Sequence, residues 1–218
     1  MAIFRAMATV GGWTAGSRLL GFLRDIMIAR VLGAGGAADA FFVAFRLPNL
    51  FRALLAEGAF NASFVPLFAR RLEAAGLAAA VAFAEQAQAV LLVASLGLTL
   101  LAIATMPWLM QLLAPGFGDD PAQYALAVEL ARVTFPYLVF MCLTALFAGM
   151  LNSLRRYTAA AAAPTVLNVV MIAGLIVAPW VGDTPRVLAW SVTLAGLGHL
   201  PGLLGAARVL YIRPAAAG

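Results

Sequence analysis

The stretch Ala8 to Leu32, ATVGGWTAGSRLLGFLRDIMIARVL, is long and apolar enough to cross a bilayer, yet Arg18, Arg24 and Asp25 interrupt its interior. A spanning helix needs about 20 mostly apolar residues, and each charge at bilayer depth costs roughly 2.5 to 3.5 kcal/mol on insertion scales. Its nine Leu, Ile, Val and Phe residues contribute approximately −3 to −5 kcal/mol, against about +9 for the three charges. Arg30, near the end, can snorkel to the interface. Such a helix inserts only beside neighbours that offer counter-charge or water. The next apolar stretch, Ala38 to Phe68, repeats the pattern with Asp39, Arg46, Arg52 and Glu57.

The rest of the chain sets these charges in a membrane. Of its 218 residues 64% are hydrophobic and 11% charged, well below the roughly 25% charged of a soluble domain. The fold class is all-α, a polytopic membrane protein. Six spans can be placed, from Ala8 to Leu32, Ala38 to Phe68, Val81 to Leu113, Ala125 to Leu151, Ala161 to Val181 and Val187 to Leu210. The second is overlong and carries Pro48, Gly58 and Pro66, so it is expected to be kinked or broken. Between it and the third, the alanine-rich stretch Leu72 to Gln88 is expected to form a helical connector on the membrane surface.

Charge along the loops gives an orientation. Arg5, Arg70 with Arg71, Arg155 with Arg156, and Arg208 with Arg213 fall on one side; Asp119 with Asp120, and Asp183 with Arg186, fall on the other. The positive-inside rule then makes both termini cytoplasmic. All 14 basic residues are arginine and the net charge is +5; their position beside or within apolar segments accounts for this balance without a nucleic-acid partner. Small residues four apart, Gly12 and Gly16, Ala145 and Gly149, Gly198 and Gly202, suit close helix contacts in lipid.

The charged constellation is the candidate site. Arg18 and Asp25 share a helix face, as do Asp39 and Arg46, whereas Arg18 to Arg24 and Arg46 to Arg52 turn about 120°. Arg18, Arg24 and Arg52 fall nearest the midplane, while Arg30 and Asp39 lie toward the outer face, placed to form a latch. The four arginines at 18, 24, 46 and 52 against Asp25, Asp39 and Glu57 leave one positive charge over. Internal pairing that merely locks two helices is one reading. An anion-binding aqueous cavity is the better one, because small apolar residues lock helices at less cost and the guanidinium fork matches phosphate and pyrophosphate oxygens.

The remaining polar residues carry less. Cys142, the single cysteine, excludes an internal disulfide and any multi-cysteine metal centre. His199, the single histidine, is read as a packing or kink residue, Glu129 and Arg132 as a helical ion pair, and Asn152 and Asn168 as bonds between helices or cavity walls. No metal, cofactor or catalytic constellation is expected. A membrane enzyme acting on lipid phosphates would need a histidine, carboxylate or metal cluster that this chain lacks.

Longer motifs narrow the reading. The run Ser17-Arg18-Leu19-Leu20-Gly21-Phe22-Leu23-Arg24-Asp25, then Gly33-Ala34-Gly35, Asp39-Ala40-Phe41-Phe42-Val43-Ala44-Phe45-Arg46-Leu47-Pro48-Asn49-Leu50 and Ala56-Glu57-Gly58-Ala59-Phe60 resembles the MurJ (MviN) lipid II flippase family. Ala114-Pro115-Gly116-Phe117, Thr134-Phe135-Pro136-Tyr137 and Ala163-Pro164-Thr165-Val166-Leu167-Asn168 fit it too. The resemblance implies a MATE-like lobe of six transmembrane helices and movement of lipid II, the undecaprenyl-pyrophosphate peptidoglycan precursor, across the bacterial cytoplasmic (inner) membrane by alternating access. It implies Arg18, Arg24 and Arg52 as cavity arginines, Asp25 as the acid orienting a neighbouring arginine, and Asp39 as an outer-gate acid. Position 46 is often lysine in the family. Residues 1–218 match only the N-terminal lobe, so the expected partners are lipid II, membrane lipids and the missing C-terminal lobe. The alternatives are another flippase or exporter of the same superfamily, or a non-transporting assembly subunit.

Overall fold

The computed structural model of the chain describes residues 2–117, 119–154, 156–199, 201–202 and 205, without the side chains at 2–9, 55–57, 59 and 158–160. The side chains of Arg5 and Glu57, together with Arg155, Arg208, Arg213 and most of the sixth span beyond His199, therefore lie outside the described residues. Every described element is helical: α1 (Ala2–Leu32), α2 (Gly36–Arg52), α3 (Asn61–Leu113), α4 (Pro121–Thr134), α5 (Tyr137–Ser153), α6 (Tyr157–Val181) and α7 (Thr184–Gly198). A π-helical stretch, Ala53–Phe60, joins α2 to α3, and a short 3₁₀ turn, Pro115–Phe117, precedes α4.

The expected irregularity of the second span takes a specific form. Pro48 and Pro66 sit inside continuous helix, and the ladder changes instead over Ala53–Phe60, which contains Gly58. A π stretch of this kind widens the turn without breaking the chain. The sharp corner comes later, at Gly76, with φ 78° and ψ −179°, a conformation open essentially to glycine alone. It divides the expected surface connector into helix on either side.

Three stretches, Asn61–Leu113, Pro121–Ser153 and Ala161–Val181, are long and apolar enough to cross a membrane. α1 has the length, at 31 residues, and carries the interior charges already noted. Aspartates start two of the helices: Asp120 accepts from the backbone N–H of Ala122 and Gln123 ahead of Pro121, and Asp183 accepts from that of Arg186. Each carboxylate thus satisfies N–H groups that have no partner within the helix.

Prolines and helix ends leave carbonyls without a backbone donor, and neighbouring helices supply one. Pro48 cannot donate to Ala44, four residues back, and the Thr134 hydroxyl of α4 donates to that carbonyl at 3.0 Å. Pro107 likewise frees Ile103, whose carbonyl accepts from Arg132 Nε at 3.1 Å. Thr193 of α7 donates to Val133 at the end of α4. In hydrocarbon an unsatisfied backbone group costs several kcal/mol, so these bonds set which helices are neighbours: α2 and α3 with α4, and α4 with α7. The core they enclose is apolar and aromatic, built around Phe41, Phe68, Phe135, Tyr137, Leu138 and Met150. Backbones approach closely where a side chain would not fit; a Cβ at Gly174 would stand 2.1 Å from Ser191 Oγ, and one at Gly149 3.0 Å from Val65. Of the spaced small residues, Gly12, Gly16 and Gly202 have nothing within that range.

The same logic corrects one expected ion pair. Arg132 does not pair with Glu129, because it is engaged at the carbonyl that Pro107 leaves open. Glu129 instead forms a two-pronged pair with Arg186 at 2.6 and 2.8 Å, and Arg186 also pairs with Asp183.

Candidate functional site

α1 packs chiefly on α6, with a smaller contact to α7, and Arg24 lies in that seam. Its Nε and one terminal nitrogen donate to Asp25 Oδ1 at 3.0 and 2.7 Å. The other terminal nitrogen donates to Asn168 Oδ1 of α6 at 2.8 Å. The Asn168 amide in turn donates to the Ser17 carbonyl at 2.9 Å. On its third side the guanidinium carbon stands 5.9 Å from the centroid of the Phe45 ring of α2, within cation–π range. Arg24 is thus mostly buried, with 16% of its side chain exposed, while Asp25 is open at 60%.

α1 also faces Asn168 with Gly21, one turn before Arg24, at ordinary contact distance: an added Cβ there would be 3.6 Å from the Asn168 amide nitrogen. On the α2 side, Asn49 donates to the carbonyl of Phe45 at 3.0 Å, and Arg52 Nε reaches Asn49 at 3.4 Å. Phe45 and Asn49 thus link Arg24 to Arg52.

The other expected residues stand differently. Arg18, Arg30, Asp39 and Arg46 are exposed; Asp25 pairs with the adjacent Arg24 and not with Arg18 seven positions away; and among the described residues Arg30 and Asp39 form no ion pair. The carboxylate of Glu57 lies outside the described residues. Asn168, read from the sequence as a bond between helices or a cavity wall, does bond between helices, from α6 to Arg24 and Ser17 of α1. Its partner was not legible, because Asn168, at 6% exposure, lies on a helix far along the chain from Arg24. His199 is buried, its Nδ1 2.6 Å from the carbonyl of Ala195 and its Nε2 3.0 Å from that of Ala163, and so ties α7 to α6 as a packing residue. Cys142 is buried and reduced. No group of His, Cys, Asp and Glu that could hold a metal occurs among the described residues.

Comparison with known proteins settles the family. The family model for lipid II flippase MurJ matches residues 28–204. The chain belongs to the lipid II flippase MurJ family. It is 51% identical over 205 residues to a probable lipid II flippase MurJ of Rhizobium meliloti, covering 92% of this chain and 38% of that relative. With a lipid II flippase MurJ of Burkholderia cenocepacia it shares 42% identity over 208 residues, covering 93% and 40%. Among solved structures, a lipid II flippase MurJ in an inward closed conformation superposes with a TM-score of 0.69 at 22% identity, covering 93% of this chain and 46% of that one. The chain thus spans about two-fifths of the length of the MurJ relatives it matches.

Proposed function

We propose that residues 1–218 form the N-terminal lobe of a lipid II flippase, carrying the peptidoglycan precursor from the inner to the outer leaflet of the bacterial cytoplasmic membrane by alternating access. The lobe consists of six spans with both termini of the segment cytoplasmic, a reading supported by the alternation of arginine-bearing and aspartate-bearing loops. The observation that carries the function is Arg24, a mostly buried guanidinium at membrane depth whose three bonds to Asp25 and Asn168 leave two of its five N–H groups, one on each terminal nitrogen.

In this reading Arg24, with Arg18 and Arg52, holds the pyrophosphate of the lipid head group in water while the polyprenyl tail stays in hydrocarbon. Asp25 orients Arg24, Asp39 acts at the outer gate, and the C-terminal lobe supplies the facing wall. Rocking of one lobe against the other changes the open side. The step is transport, with no covalent bond made or broken.

A chimera tests it: the matching 205-residue segment of the Rhizobium meliloti relative is replaced by this chain, and the product is expressed in cells depleted of their own flippase. The chimera restores growth, and Arg24→Ala at normal protein level abolishes that rescue. Growth that survives Arg24→Ala would overturn the pyrophosphate site.

A further inference from the structure

Asn168 is buried on α6, and its amide uses both ends on α1. The carbonyl end accepts from Arg24 at 2.8 Å, and the NH₂ end donates to the backbone carbonyl of Ser17 at 2.9 Å. That carbonyl lies about two helical turns before Arg24, so one side chain fixes at once the helix that carries the arginine and the direction of its guanidinium. We propose that Asn168 is a positioning residue: it aims Arg24 at a diphosphate while leaving its charge undiminished. The inference rests on the reading of Arg24 as an anion-binding group.

The chemistry favours an amide here. Asp25 already sets one carboxylate against Arg24, which brings the pair near neutrality. A second carboxylate at position 168 would hold the guanidinium equally well and leave the local cluster of Arg24 and its two partners net negative, weakening its pull on phosphate oxygens. A neutral acceptor restrains the side chain without adding charge of the ligand's own sign. It also occupies an N–H that would otherwise lie desolvated in the α1–α6 seam.

The test uses the purified chimera in detergent, with inorganic pyrophosphate as the probe and its Kd as the readout. Asn168→Leu, close in volume and apolar, weakens binding about tenfold when Arg24 is present, the scale of a hydrogen bond to a charged group. In an Arg24→Ala background the same change produces no further loss. An equal loss in both backgrounds, or no loss in the first, would show that Asn168 only packs α6 against α1 and would overturn the inference. Asn168→Asp provides a second arm that keeps an acceptor for Arg24: it accumulates normally and binds pyrophosphate more weakly than the parent, and parental affinity in this variant would also overturn the inference. Should Arg24→Ala alone leave the Kd unchanged, the anion-site reading itself fails, a result visible without any change at position 168.

Discussion

Arg24 shows how little of a side chain's role its own sequence neighbourhood contains. Asp25 is adjacent in the chain, yet helical spacing set it on the face of Arg18, and only the family resemblance implied that it orients a neighbouring arginine. Asn168 and Phe45 come from α6 and α2, and only the packing of α1 brings them to the guanidinium. Thr134 makes the same point with a backbone partner. Its hydroxyl serves the Ala44 carbonyl that Pro48 leaves without a donor, so Thr134→Val removes the donor and keeps the shape. A loss of about 1 kcal/mol in unfolding free energy is expected, in the range measured for interhelical bonds in membranes, read from denaturation of the detergent-solubilised protein. Asp183, in the loop before α7, is held below its ordinary pKa of 3.8 chiefly by its bond to Arg186. A depressed carboxylate stabilises the fold above its unfolded pKa and loses that contribution as pH falls through the folded value. Asp183→Asn should therefore lower the melting temperature slightly at pH 7, the effect being small for an exposed pair, and the difference from the parent should vanish as pH falls below 3.8.

Among the elements, α3 departs furthest from what hydropathy alone suggests. Apolar periodicity runs through Gly76, and the Leu72 to Gln88 stretch reads as one connector; the corner depends on a glycine with φ 78°, and one of 20 glycines does not announce itself. Gly76→Ala should cost about 1 to 3 kcal/mol through backbone strain, measured as a lower thermal midpoint, with no steric contribution because nothing lies within 4 Å of the added methyl. Pro107 and Arg132 form a coupled pair across α3 and α4. Pro107→Ala returns a backbone donor to Ile103, so Arg132→Gln should destabilise the parent and cost almost nothing in the Pro107→Ala background. The coupling energy from this double-mutant cycle is expected at about 0.5 to 1 kcal/mol; additive effects would rule out the carbonyl-capping role.

On the scale of the whole molecule, the orientation has a direct measurement. With Cys142 replaced by alanine, a single cysteine placed at Asp119 should react with a membrane-impermeant maleimide in intact cells, and one at Arg71 only after permeabilisation. The reverse pattern would invert the proposed topology. The sequence by itself determined the all-helical membrane class, the clustering of charge in the first two spans and the family, because hydropathy, charge and long motifs are properties of the chain read locally. Tertiary structure alone decided that Arg24 meets Asn168 and not a second acid, that Arg132 leaves Glu129 for a carbonyl, and that the second span relaxes through a π-helical stretch. Each of these depends on which helix lies alongside, and in hydrocarbon every polar group takes the nearest partner that packing offers rather than the nearest one in sequence.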